Sequence, residues 1–545
     1  MKIKELYKDN EEITIESYLN KHGITDIQEY LYPTGKYLDN PIAYENMREA
    51  VQLIKYHILQ HSSMYIIQDA DFDGIASAYE LFDYLHILSK SLGIQLDIKV
   101  LIHDNKECGL GDKKIFNYIK ENPRELLIIP DAGTNEVKET RELFDMGIDV
   151  LILDHHDINT PVDCGVLVNN QVGNVDRQGS GGVVTHNFLR MMDIEFDVKL
   201  SGKYIDIVAL SIISDSMDVT SMQNRVYLYY GLFSSNCIQN EFLKALIDKF
   251  IPHEQFTIKD LAWSIVPKFN AIVRCGDNEI KKKLFLALLG MFDVEEALKI
   301  CEDAHANQVK NVKNFVSDNK DKAITNNNLV VISSDDLFPS YSGLIAGKFC
   351  EQTHKPCIVG KIKKGKFMGS LRSPIDLAEQ INETNLAKAM GHPRAAGFFV
   401  LENNIPKLID FVNTLDINVS DDIEVVKSFY TSDIPNYLFT EFNEYNIWGI
   451  KDLPKPIFHI KKVKIKTDDI TVMKEKHLKF KYKDVEFLYF NTNKEQREEI
   501  FKHKKIELEV IGELSQNVWR NKVTNQVIIE QIELKESKLE VEDLF

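Results

Sequence analysis

Four places in the sequence gather side chains that bind hard cations. Asp69, Asp71 and Asp73 alternate along D-A-D-F-D-G and are followed by Gly74. Asp131 ends one apolar run, and Asp154, His155, His156 and Asp157 end another. Asp215 follows the apolar stretch I-V-A-L-S-I-I-S. Carboxylates brought together in this number repel one another, so a cluster of them needs a cation. Oxygen ligands joined by an imidazole suit Mn2+ or Mg2+, and the lack of accompanying thiolates argues against structural zinc. Paired divalent ions are a chemistry of phosphodiester hydrolysis. On a continuing strand Asp69, Asp71 and Asp73 would share a face, whereas a turn would let them straddle two ions. Blander readings stand beside this one. D-x-D-x-D-G also opens a calcium loop, with Gly74 and Glu80 at its glycine and final glutamate positions, although the preceding Tyr65-Ile-Ile67 reads as strand rather than helix. Asp131 alone also fits a solvated acidic turn, and adjacent histidines can cap a turn.

The elements that would position these groups alternate in type. Apolar runs before Asp69, near 97–103, before Asp131 and before Asp154 read as strands, with helical stretches between them. Strands apolar on both faces and separated by helices imply parallel βαβ units, whose ligands sit beyond the carboxyl ends of the strands. The region from about 197 to 325 reads as mainly helical, and the polar stretch Ile324–Asn328 as a linker. A second α/β segment follows, and from about 457 short alternating runs read as strands of a small barrel or sandwich. The chain has 545 residues with 44% hydrophobic and 27% charged, which excludes wholesale disorder. No apolar run approaches the roughly 20 residues that span a bilayer, and the charged start is neither signal nor transit peptide. Its seven scattered cysteines form no C-x-x-C pair and fit a reducing cytoplasm. A net charge of −18 argues against indiscriminate nucleic-acid binding, but it counts metal-holding carboxylates as bare negatives.

Taken in order, D-A-D-F-D-G, P-D-A-G, L-D-H-H and S-D-S resemble the four motifs of the DHH phosphoesterase superfamily, named for the triplet found here at Asp154–His156. Within it the chain is most similar to the RecJ-like single-strand-specific exonucleases. Asn105–Leu110, Ser180–Gly182, Asn224-Arg225 with Gly231-Leu232, and Pro267–Arg274 resemble further blocks of that family. Gly391–Gly397 (G-H-P-R-A-A-G) and Ser370–Ser373 (S-L-R-S) resemble the DHH-associated domain, and Trp448–Phe458 the entry to an OB-fold. Met390 departs from the family's G-G-H pattern, and Ala132 stands where cysteine is common.

The resemblance implies an α/β protein with a parallel-sheet DHH domain, a helical connector, a smaller α/β DHH-associated domain and a C-terminal β-barrel of OB type. The expected boundaries are 1–60 for an N-terminal helical segment, 61–235 for the DHH domain and 236–325 for the connector. The associated domain is expected at 326–415, a bridging segment at 416–456, the OB-fold at 457–535 and an acidic tail at 536–545. It further implies that Asp69, Asp71, Asp73, Asp131, His155 and Asp215 hold two Mn2+ ions, with Mg2+ as the other candidate. By the same resemblance His156 would be catalytic beside them, through Asp154 or substrate. Arg372, Ser373, Gly391, His392, Arg394, Asn270 and Arg274 would bind substrate. The implied activity is removal of nucleotides from single-stranded DNA, 5′→3′, in repair or recombination. Implied partners are single-stranded DNA and a single-strand-binding protein or helicase, with the enzyme itself a cytoplasmic monomer without a membrane anchor. Two alternatives stay open: a DHH phosphodiesterase of short oligonucleotides or cyclic dinucleotides, and a silent binding subunit of a replication complex. Lys461, Lys462, Lys464, Lys466, Lys474, Lys476, Lys479, Lys481 and Lys483 would track the phosphates electrostatically. Alternation in K-F-K-Y-K puts the lysines outward and the rings inward, which disfavours base stacking there.

Overall fold

The computed structural model describes residues 2–104, 108–251, 256–417, 422–450, 452–519 and 522–535. The acidic tail and Asn105–Glu107 of the family-like loop lie outside these. The chain divides into two units, Thr34–Val419 and Met1–Pro33 with Ser420–Phe545.

In the larger unit the apolar runs become β1 (Ser63–Gln68), β2 (Asp97–Ile102), β3 (Leu126–Pro130), β4 (Asp149–Asp154) and β5 (Val166–Asn169). All four pairings are parallel, in the order β2-β1-β3-β4-β5. Every residue of β3 is buried, as a sheet covered on both faces requires. The covering helices include α1 (Met47–Leu59), α2 (Phe72–Ser91), α3 (Lys113–Glu121), α4 (Val137–Asp145), α5 (Gly181–Phe196) and α6 (Ile205–Ser214). The strand order reverses between β1 and β3, and a crevice opens at such a point beyond the carboxyl ends. Asp69 and Asp131 directly follow those two strands.

Helices α7 (Val266–Cys275) and α8 (Val294–Asp318) lead to a second, mixed sheet. It comprises β6 (Val330–Ser333), β7 (Cys357–Lys363), β8 (Lys366–Arg372), β9 (Ala387–His392) and β10 (Ala395–Leu401), ordered β9-β10-β8-β7-β6. One core packs Ile358, Phe367, Leu371 and Val400. Another packs Val330, Ile332 and Val359 against Ile345 and Phe349 of α9 (Ser342–Thr353). The polar stretch read as a linker is fastened to this domain. Lys355 Nζ donates to the carbonyls of Thr325 (2.8 Å) and Asn327 (2.9 Å), and Asn328 N to Asn413 Oδ1 (2.7 Å).

The smaller unit holds a seven-stranded sheet. Its strands are β11 (Ser428–Tyr430), β12 (Phe458–Lys466), β13 (Thr471–Met473), β14 (His477–Tyr482), β15 (Val485–Tyr489), β16 (Lys505–Trp519) and β17 (Lys522–Lys535). Their order is β11-β12-β16-β17-β15-β14-β13. The N-terminal segment is not purely helical. Ile15–Lys21 and Ile27–Leu31 are helices, but Lys2–Glu5 forms a strand parallel to Asp422–Val425.

Candidate metal centre

The three alternating aspartates sit on a turn rather than along a strand. After Asp69 the chain bends into α2, whose N-cap is Asp71, accepting from Gly74 N (3.3 Å). A Cβ at Gly74 would lie 2.5 Å from the Cβ of Asp69, so this tight strand-to-helix turn requires glycine. That strand–turn–helix context replaces the helix–loop–helix of a calcium loop, and Glu80 is buried within α2. Asp131 adopts a left-handed conformation (φ 64°) just past β3, with its N–H donating to Leu153 O (2.8 Å). Its carboxylate is buried, and Oδ1 has no hydrogen-bond partner among the described residues. Asp215 caps the C-terminal end of α6, so it reaches the site from a helix end and not from the sheet.

His155 joins the two sides. Its Nε2 lies 3.4 Å from Asp131 Oδ1, 3.6 Å from Asp215 Oδ2 and 3.8 Å from Asp73 Oδ2. The donor atoms of Asp73, His155 and Asp215 lie within 4.8 Å of one another, as do those of Asp69, Asp71 and Asp131. Asp131 and His155 also group with Asp154 and His156. Two adjacent ligand sets therefore meet at the Asp131–His155 contact.

The electrostatics fit a cation. Burial, together with Asp71, pushes the Asp69 carboxyl well above its usual range. Burial does the same to Asp131, reinforced by Asp73, Asp71, Asp69 and Asp215. Asp73 is raised to about 6 by burial and by Asp215 and Asp71, against the pull of His155. Only an added positive charge lets all of them ionise together. The fold supplies part of it: Gly181 N and Gly182 N, at the start of α5, donate to Asp73 Oδ2 (2.7 Å) and Oδ1 (2.8 Å). A Cβ at Gly181 would lie 2.3 Å from Asp131 Oδ1.

Asp154 faces inward. Its Oδ1 accepts from His155 N (2.7 Å), His156 N (3.2 Å) and His156 Nδ1 (2.7 Å), and its Oδ2 from Thr134 N (3.0 Å). Burial opposes its ionisation, but these donors hold it below the usual carboxylate range. Burial likewise opposes the charge on His156, and the Asp154 hydrogen bond and charge outweigh it, raising that imidazole to about 10.

Two neighbours escaped the sequence reading. His103, at the end of β2, is buried, with Nδ1 3.0 Å from Asp112 Oδ2 and Nε2 3.8 Å from Asp69 Oδ1. Its place at the same carboxyl edge as Asp69 is the signal that could have found it. Glu136 accepts from Leu110 N (2.6 Å) and Gly111 N (2.9 Å), fixing the turn whose Gly109 N donates to Asp69 Oδ1 (3.3 Å).

Of the expected substrate-binding residues, Asn270 and Arg274 lie at the acid turn. Asn270 Oδ1 accepts from Phe72 N (3.1 Å), and Arg274 donates through Nε to Ala70 O and through Nη2 to Asp71 Oδ2, both at 3.4 Å. Arg372 is half-buried, and its guanidinium fills the space a Cβ at Gly343 would need (2.8 Å). Burial and the charge of Arg274 both lower its pKa, so the two guanidinia share a neighbourhood. Arg372, Ser373 and Arg394 border an open depression of about 370 Å3. Arg394 is exposed and paired with Asp376 (2.6 Å), not with the acids. Gly391 has φ 129°, and the neighbouring His392 is exposed at the end of β9. Among the described residues His392 has no hydrogen bond or ion pair to the acid cluster.

In the smaller unit Phe480 and Phe487 are buried and stacked, with centroids 5.1 Å apart, so these two rings face inward, whereas Tyr482 is half-buried. Several lysines are paired. Lys479 lies 3.1 Å from Glu486, Lys481 3.6 Å from Asp484 and Lys464 3.6 Å from Glu507. Lys461 and Lys462 lie over the half-exposed ring of Tyr430, at 5.3 and 5.9 Å.

Comparison with known proteins gives matches in both units. Residues 63–212 match the DHH family, N-terminal domain, and residues 428–531 the RecJ OB domain. YorK of the SPbeta prophage in Bacillus subtilis (strain 168), provisionally named a single-strand DNA-specific exonuclease, is 24% identical over 542 residues, covering 90% of this chain and 91% of its own. The single-stranded-DNA-specific exonuclease RecJ of the same strain is 26% identical over 538 residues, 92% of this chain and 65% of its own. RecJ of Thermus thermophilus in complex with Mn2+ matches with a TM-score of 0.75 at 20% identity, over 95% of this chain and 76% of that one. Its Mg2+ complex gives 0.71 at 19% identity, over 96% and 75%. Residues 63–212 are thus a DHH-family N-terminal domain and residues 428–531 a RecJ OB domain, in a chain with the RecJ fold.

Proposed function

We propose that this chain is a metal-dependent exonuclease that hydrolyses single-stranded DNA from a free end, with 5′→3′ polarity and a role in repair or recombination. The observation that carries the reading is the pair of ligand sets meeting at Asp131 and His155. Asp69, Asp71 and Asp131, whose Oδ1 has no hydrogen-bond partner among the described residues, would hold one divalent ion, and Asp73, His155 and Asp215 the other. Mn2+ suits this mixed oxygen and nitrogen set, and Mg2+ suits its oxygens. Such ions supply Lewis acidity and lower the pKa of a nearby water.

The chain's own groups prepare the substrate around that centre. Asp154 accepts a hydrogen bond from His156 Nδ1–H, which keeps the imidazolium charged and leaves Nε2–H to donate to a phosphate oxygen. Arg274 and Arg372 offer planar forks to a phosphate, and their mutual repulsion is relieved when an anion lies between them. The α5 amides keep Asp73 in place as an anion. The lysine-bearing strands of the smaller unit would track the phosphate chain. A single-strand-binding protein or helicase would present the strand to a monomeric enzyme in the cytoplasm. Among the described residues no helix is long and apolar enough to cross a membrane.

Digestion of end-labelled single- and double-stranded DNA and of a dinucleotide, with Mn2+, Mg2+ or chelator, tests this reading. Stepwise loss of nucleotides from the single strand, abolished by chelator, is expected. Equal cleavage of strand and dinucleotide would favour a short-oligonucleotide phosphodiesterase. Strand binding without cleavage in any ion would leave a binding subunit.

A further inference from the structure

Ile258–Asp260, Leu261–Ile265 and α7 run on as one helical stretch, with the wider π-type turn over Leu261–Ile265. Such turns are frequent where a helix serves a site, because they re-aim a side chain. The inner face of this stretch is closed by Leu261, Ile265, Phe269 and Ile272. The opposite stripe runs at helical spacing from the exposed Trp263 to the half-buried Pro267, Asn270 and Arg274. The C-terminal end of the stripe is the part that touches the acid turn, through Asn270 to Phe72 N and Arg274 to Asp71.

Trp263, at the other end, is 68% exposed, whereas Trp448 is 4% exposed. An indole carries the largest apolar area of any side chain, and a packed protein surface rarely leaves one in water. Eleven residues of helix separate it from Arg274, about 16 Å at 1.5 Å per residue. A dinucleotide at the acids, with stacked bases about 3.4 Å apart, does not reach it.

We propose that Trp263 is a stacking platform for a base of the single strand, several nucleotides from the scissile ester. The proposal rests on the exonuclease reading above. Stacking accepts every base, since each has a π-face, and this suits an enzyme that must pass any sequence. It also places a grip on the strand outside the acid cluster, where net negative charge otherwise repels DNA.

The test uses full-length protein, oligothymidylate of 15 nucleotides, and the variants Trp263→Leu and Trp263→Phe. With chelator present, so that hydrolysis plays no part, titration of wild type with the 15-mer is expected to quench tryptophan emission. In Trp263→Leu that quenching is lost and affinity for the 15-mer falls about tenfold, with Trp263→Phe in between. With Mn2+, the KM for the 15-mer rises in Trp263→Leu while turnover of the dinucleotide is unchanged. Equal affinity of Trp263→Leu and wild type for the 15-mer would overturn the proposal. So would an equal loss on the dinucleotide, which would place the effect in the fold or the acid centre. Wild type that binds the 15-mer with quenching yet hydrolyses nothing would sink the exonuclease reading and leave the stacking platform standing.

Discussion

Replacing Asp131 by asparagine removes one negative charge from a buried set whose members push one another's pKa values up. Without an ion, that charge opposes the fold, and the left-handed backbone at Asp131 adds local strain. Asp131→Asn is therefore expected to melt a few degrees higher than wild type in chelator, about 1–2 kcal/mol of stability. It is also expected to lose most of the stabilisation that added Mn2+ gives wild type, together with more than about a hundredfold of hydrolysis. Thermal melts with and without Mn2+ check this, and a variant stabilised by Mn2+ as strongly as wild type would refute it. At this scale much of the site was legible from the sequence. Asp69, Asp131 and His155 follow apolar runs that alternate with helical stretches and so read as interior strands, and the carboxyl edge of a parallel sheet is where ligands go. Asp215 was legible as a residue after an apolar run, but that run is a helix, so its approach from a helix end was not. Glu136 was not legible, since it acts on backbone amides across a loop, and nothing in residue type marks that pairing.

Helix α5 ties the metal centre to the packing beneath it. Its first amides hold Asp73, and its start lies against Asp131 so closely that Gly181→Ala must move the helix or the carboxylate. Gly181→Ala is expected to lose more than about tenfold of activity and to weaken Mn2+ binding. Gly202→Ala, where a Cβ meets nothing within 4 Å, should behave as wild type in the same assays. Further along α5, His186 is buried between Tyr227 OH (2.9 Å) and Ser201 O (3.0 Å). Burial lowers its pKa to about 4, helped by the Arg190 charge and opposed by Ser201 O and Asp193. The fold thus prefers the neutral ring, so this stability is complete above the unfolded value near 6.5 and is lost as pH falls toward 4. The loss amounts to about 3 kcal/mol at most. Urea unfolding at stepped pH should show the gap between wild type and His186→Gln closing across that window. A constant gap would mean that His186 does not titrate there. Strands β1, β3 and β4 were legible because they are apolar on both faces. The anchoring of Ile324–Asn328 was not, because its partners Lys355 and Asn413 lie far along the chain.

Across the whole molecule a net charge of −18 must coexist with a proposed polyanionic substrate. The run of lysines from Lys461 to Lys483 promised a positive track, and the alternation of K-F-K-Y-K placed Phe480 in the interior but not Tyr482, which is half-buried. Cross-strand register then placed Glu486 and Glu507 beside Lys479 and Lys464, a pairing that composition does not disclose. Binding of single-stranded DNA should accordingly depend on salt less steeply than these lysines suggest. Nine free lysines would give a slope of about −6 in log affinity against log salt. With three of the nine paired, a slope of about −4 is expected from titrations between roughly 50 and 200 mM salt. A slope near −6 would show that the acidic partners let go on binding.

The strand Lys2–Glu5 has a further consequence, for biosynthesis. Its partner Asp422–Val425 lies 420 residues later, as in the Lys4–Glu424 pair. At ribosomal speeds that distance is a wait of about 20–80 s, during which the intervening Thr34–Val419 unit can finish folding. The nascent strand Lys2–Glu5 therefore spends its youth as a bare β-edge. A chaperone, or the charges of Lys2, Lys4 and Glu5, must keep it from pairing with the wrong neighbour on a crowded polysome.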